Sequence, residues 1–206
     1  MKKAMFLILA AVVVVISYLP LFLDGYVYNE EQAIRRVHPA YTGDKLYEKS
    51  EDHHKLIVWQ DGHVKTVNVL ESKWGLLHKI TNAVALEPKS EDEPFVRTWS
   101  ASHRGDGIYD TLVAVETSEP ESKKIIVTNE PWDDKPIEDL EQVKALSGIY
   151  MEIDVEQGYA IHYEQLPADQ TGGFIFRSID AEGNILFPFN RSGWARSINA
   201  DIIGCM

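Results

Sequence analysis

The sequence predicts an α+β protein: an N-terminal transmembrane helix followed by a mostly antiparallel β ectodomain with two short helices. Three observations predict it. Residues Ala4 to Leu23 form an uncharged apolar run behind Lys2 and Lys3. Beyond Asp24, short apolar stretches alternate with turn residues such as Asp61-Gly62 and Arg104-Gly105-Asp106-Gly107, the pattern of successive hairpins. Two other stretches carry helix start and stop signals.

The apolar run comes first. At about 1.5 Å per residue a helix of this length reaches about 30 Å, the thickness of a hydrocarbon core. Tyr18 suits an interface and Pro20 a helix end. Lys2 and Lys3 on one side, against Asp24, Glu30 and Glu31 on the other, place the N-terminus in the cytoplasm. Residues 1–25 therefore read as a single-pass signal anchor in the cell membrane, with residues 24–206 extracytoplasmic. A cleaved signal peptide is the alternative, but the run exceeds the usual ~7–15 residues of a signal core and no A-x-A site follows it.

Residues 26–190 read as the folded domain. Asn29 is an N-cap with Gln32 in capping-box spacing, and Glu30, Glu31, Arg35 and Arg36 complement the helix dipole. Ala33, Ile34 and Val37 form its apolar stripe, and His38-Pro39 ends it. Strands are expected over 45–49, 54–60 and 63–70, and a mixed extended stretch over 74–86. An acidic loop at 88–94 is the candidate lobe boundary. Strands follow over 95–103, 108–117 and 124–129. A second helix is expected to be capped at Asp134 or Lys135, with Pro136 at its first position, Ile137, Leu140, Val143 and Leu146 on its buried side, and Gly148 at its end. Four further strands are expected over 149–155, 158–165, 173–179 and 184–187. Met151, Ile153 and Val155 alternate there with Glu152, Asp154 and Glu156, the period of a half-buried strand. Residues 191–206 are a tail.

Composition bounds function. The chain carries a formal charge of −12, and beyond the first lysines 18 basic residues face 32 acidic ones. Nucleic acid, which needs clustered Lys and Arg, is excluded as a partner. The lone Cys205 cannot close an internal disulfide, so the domain holds itself by packing.

Several residue groups invite chemistry. Ser100 or Ser102 with His103 or His162 would suit an envelope hydrolase, but residues three apart on a strand point to opposite faces and no G-x-S-x-G elbow is present. His53, His54, His63, His78 and His103 invite a metal, yet hairpin geometry separates them, so no metal or other cofactor is expected. Asp180, Glu182, Gly183 and Asn184 depart from calcium-loop spacing. Glu152, Asp154 and Glu164 suggest a shared acidic sheet face. Trp132 and Trp194, in loop-like sequence, are the surface-binding candidates, and they would serve a cell-wall or carbohydrate-binding module.

Residues 30–72, with Glu30-Glu31-Gln32-Ala33-Ile34 and Pro39 followed by the hairpin at 54–70, resemble a PepSY-type module, a small exported bacterial domain with helix–strand–strand order. The closing Asp-x-x-Thr-Gly turn of that family is replaced here by Leu70-Glu71-Ser72-Lys73-Trp74. The whole chain is similar to single-pass exported proteins of Bacillus-like bacteria. The expected role is interaction or ligand sensing without catalysis, accessory to another envelope protein, with the membrane a second partner through residues 4–23.

Overall fold

The computed structural model describes residues 25–38, 43–87, 95–131, 137 and 139–187, together with residues 5, 6, 8, 10, 13, 14, 18–20, 22 and 23 of the apolar run. The loop at 88–94, the tail at 191–206, Trp132, Trp194 and Cys205 lie outside the described residues.

The expected N-terminal transmembrane helix is corrected. Among the described residues no helix is long and apolar enough to cross a membrane. The signal-anchor and single-pass readings that rest on such a helix fall with it. The described residues 5, 6, 8, 10, 13, 14, 18–20 and 22 of the apolar run are helical, but they form no described helix of spanning length.

The β part is more regular than the sequence suggested. Helix α1 (Glu30–Val37) leads into β1 (Asp44–Glu51), β2 (His54–Asp61), β3 (Val64–Lys73) and β4 (Leu77–Leu86). These four pair in chain order as one antiparallel sheet, sheet A. Next come β5 (Phe95–Gly105), β6 (Ile108–Thr117), β7 (Lys124–Thr128), α2 (Leu140–Leu146), β8 (Tyr150–Asp154), β9 (Tyr159–Pro167), β10 (Ile175–Ile179) and β11 (Ile185–Phe187). They divide between a three-stranded sheet B, ordered β5-β6-β9, and a four-stranded sheet C, ordered β11-β10-β7-β8.

Local chemistry explains these elements. The side chain of Asn29 accepts from the amide of Glu31 and so caps α1. Ala33 and Ile34 are buried, while Val37 stays exposed. Asp139 caps the second helix, accepting from the amides of Glu141 and Gln142, while Asp134, Lys135 and Pro136, where the sequence placed its start, lie outside the described residues. Val143 is fully buried and Leu146 exposed, so the apolar side is narrower than the sequence pattern implied. The Asp61-Gly62 turn places Gly62 at φ +59°, where a side chain is disfavoured.

The sheets stack. Leu56, Val58, Val67, Val69 and Val84 from sheet A meet Leu112, Ala114, Tyr159 and Ile161 from sheet B. The other face of sheet B, with Val113, Val115 and Ala160, meets Ile125, Val127, Met151, Ile153 and Phe176 from sheet C. Helix α1 covers the outer face of sheet A through Ala33 and Ile34 against Ile57 and Leu70. Sheet B is thus buried on both faces, which is why Leu112, Val113, Ala114 and Val115 read as a continuous apolar run.

Two irregularities position polar groups. The β3–β4 register shifts beside Leu70, so Val69 pairs with Asn82 and Leu70 with Ile80. This bulge at Thr81 sends Asn82 toward sheet B and Ile80 toward α1. On sheet C, Arg177 is 2% exposed, and its guanidinium donates to Thr128 Oγ1 at 2.9 Å and to the Glu130 carboxylate.

Candidate functional site

A group of titratable side chains joins two sheets where the β1–β2 turn meets β9. Antiparallel pairing sets Glu51 opposite His54 across the turn, with Asp52 at φ +48°. Strand β9 brings His162, Tyr163 and Glu164 alongside. His162 Nδ1 lies 3.8 Å from Glu51 Oε2, and its Nε2 lies 3.4 Å from Glu164 Oε2. Attraction to the nearby Glu51 carboxylate is the main influence raising the imidazole above its ordinary value, and partial burial opposes it. Burial pushes the Glu51 carboxyl upward, but the contacts of His162 and Lys49 outweigh it and hold that group below the usual range.

A polar chain runs inward from this seam. The rings of His54 and Tyr163 are 4.6 Å apart. The Tyr163 hydroxyl donates to Asp110 Oδ1 at 2.7 Å, and Arg104 approaches the same oxygen at 3.4 Å. Burial, then Asp110, pushes the phenol well above its ordinary value. Asn82 Nδ2 donates to the Asp110 carbonyl at 3.2 Å, and Ser100 Oγ donates to Asn82 Oδ1 at 2.7 Å. The bulge at Thr81 is what makes this last pair meet.

The serine–histidine grouping is not assembled in this arrangement. His103 is exposed and packs edge-on against Tyr109, with ring centres 5.2 Å apart. Among the described residues no hydrogen bond joins Ser100 or Ser102 to His103 or His162. The other histidines are dispersed. His78 Nδ1 contacts Ser72 Oγ at 3.0 Å, and His53 and His63 are exposed on separate turns. No group of three or more His, Cys, Asp or Glu positioned to hold a metal occurs among the described residues. Asp180 spends its carboxylate on its own turn, accepting from the amides of Glu182 and Asn184 and from Asn184 Nδ2. Glu152 pairs with Lys124 on sheet C, whereas Glu164 belongs to sheet B, so the three acidic residues do not share one face.

Sequence reasoning missed two features. The Glu51–His162–Glu164 seam joins strands far apart in the chain, and no local spacing announces it. Trp74, 66% exposed, sits at the β3–β4 turn with Leu76, 59% exposed. Its clue was Trp74-Gly75, a turn pair hidden inside an apparently extended stretch.

What the seam can do chemically is limited and specific. Two carboxylates around one half-buried imidazole can exchange a proton near neutral pH and attract a cationic group. No protein-family model, curated protein or solved structure matches the chain.

Proposed function

We propose that this chain is a non-catalytic interaction module of the cell envelope, accessory to another envelope protein, with its apolar N-terminal run associated with lipid. The observation that carries this reading is the seam itself. It gathers Glu51, His162 and Glu164 on β1 and β9, the edge strands of sheets A and B, while Ser100 is committed to Asn82. An acidic cluster on open edges favours a partner segment rich in Lys and Arg. The excess of acidic residues over the whole chain supports the same polarity.

The test is cross-linking and co-purification of the full chain from its native envelope. Wild type is compared with E51K/E164K and with E182K, a charge reversal on the distant β10–β11 turn. Retention of a partner by wild type and E182K, with loss in E51K/E164K, supports the reading. Equal capture by all three removes the seam from it. Ester or peptide hydrolysis by the purified chain, abolished in S100A, overturns the non-catalytic reading.

A further inference from the structure

The turn between β3 and β4 exposes Trp74 and Leu76 beside two lysines, while the nearby Glu71 carboxylate is taken up by Tyr26. Lys73 Nζ lies 5.7 Å from the centre of the Trp74 ring and 5.3 Å from that of Tyr26. Lys79 Nζ lies 5.9 Å from the same Tyr26 ring. Tyr26 is fixed here because its hydroxyl donates to Glu71 at 2.8 Å and the neighbouring Val27 exchanges two backbone hydrogen bonds with His78. The chain therefore enters the domain from its apolar run against this hairpin. Gly25 packs so closely on Lys79 that an added Cβ would lie 2.9 Å from its side chain. Phe22, three residues earlier, is 82% exposed.

Exposed Trp and Leu flanked by lysines, on a protein of net charge −12, is a local reversal of the surface. Apolar side chains at a turn tip, with ammonium groups on flexible stems beside them, match a bilayer interface. There the indole sits at headgroup depth and the lysines reach phosphate. A deep protein pocket would demand a concave complement for two lysines and a tryptophan together. A lipid surface adapts to all of them and also accommodates the apolar chain entering at the same place. We infer that the β3–β4 turn, Lys73 to Leu76 with Lys79, docks on an anionic phospholipid surface and fixes the orientation of the domain there. The inference rests on the proposed lipid association of the N-terminal run and adds a second, separate contact.

The experiment uses the full chain with vesicles of phosphatidylcholine alone and of phosphatidylcholine with phosphatidylglycerol. Binding is followed by co-sedimentation, and indole depth by quenching from lipids brominated near the headgroup end of the acyl chain. The expected result is a quenched component in wild type that disappears in W74F. K73Q/K79Q should weaken partitioning onto the anionic vesicles about thirtyfold, at about 1 kcal/mol per lysine near such a surface, and leave the neutral vesicles unaffected. If the chain binds but W74F and wild type are quenched alike, the turn contact is refuted and the N-terminal association stands. If the chain binds neither vesicle, both are refuted. Lipid-free dimerisation that shields Trp74, seen by sedimentation and lost in W74A/L76S, would assign the turn to a second copy of the chain instead.

Discussion

Removing the carboxylate of Glu130 should destabilise the domain far more than an ordinary polar substitution. The side chains of Glu130 and Arg177 are each 2% exposed. The guanidinium is shared among the Glu130 carboxylate, Thr128 Oγ1 and the Ile137 carbonyl at 3.5 Å, and Ser147 Oγ donates to the other Glu130 oxygen at 3.3 Å. In E130A the cation keeps only neutral acceptors while remaining out of water. Breaking a buried pair from one side costs about 3–5 kcal/mol. At about 2–4 °C per kcal/mol for a domain of this size, Tm should fall by roughly 10 °C. E130L/R177M, which removes both charges and keeps the volume, should recover most of the loss. Urea titration followed by circular dichroism, with thermal melts, measures all three proteins. A loss below about 0.5 kcal/mol in E130A, the range of surface substitutions, would refute the assignment of the pair as a buried, mutually dependent unit. Acid adds an independent check. Burial disfavours the charge on Glu130, but hydrogen bonds with Thr128 and Arg177 prevail and lower its pKa. Its contribution is therefore present above the ordinary carboxyl range and is lost as pH falls through the lowered value, an acid limb that E130L/R177M should lack.

Three further outcomes are expected. His162 has a raised pKa, so its contribution to stability is complete below the ordinary imidazole value and declines as pH rises through the raised one; thermal melts across neutral pH should show that decline in wild type and not in H162Q. Tyr26 is pushed up to about 12 by burial and by Glu71, so Y26F should cost about 1–2 kcal/mol in denaturant titrations. In an ultraviolet titration Tyr26 is one of several phenols that ionise late, and Y26F should lose the step at about 12, with the stabilising contribution of that phenol lost as pH rises through that value. Gly43 meets the backbone of Gln60 so closely that an added Cβ would lie 1.7 Å from the carbonyl oxygen; G43A should displace the start of β1 and cost about 1–3 kcal/mol, measurable as faster amide exchange in β1.

Much of the strand order was legible because the relevant signals are local. Asp61-Gly62 and the alternation of Met151 and Ile153 with Glu152 and Asp154 depend on neighbours only, and the observed burial follows them. The capped helix at Glu30–Val37 was legible for the same reason. The rest was not legible in that way. Asp139 caps the second helix, a position the sequence did not single out, because several residues nearby have cap chemistry and local spacing alone does not choose among them. Thr81 gives no sign of the bulge that turns Asn82 inward. Arg177 lies in a stretch that reads as an ordinary half-exposed strand, and its burial follows from Glu130, which belongs to a different part of the chain. The expected transmembrane helix was inferred from the length and apolarity of a run and its flanking charges, and no helix of that length and apolarity occurs among the described residues. The seam of Glu51, His162 and Glu164 was out of reach for the reason that hid Arg177: its members meet only after three sheets have stacked.

The central position of sheet B also dictates when the molecule can become a molecule. Sheet A needs only successive hairpins and can pair as soon as β4 has been made. Sheet B cannot, since β9 reaches β6 only after β7, α2 and β8 have been synthesised between them. Until then Leu112 and Ala114 have no neighbour on one side of their strand, and the inner residues of sheet A have an incomplete lid. Pairings this distant slow folding and lengthen the exposure of apolar strands to other chains. Truncation before β9 should therefore leave an aggregating fragment, and the interval between synthesis of β6 and of β9 is when this protein most needs a chaperone.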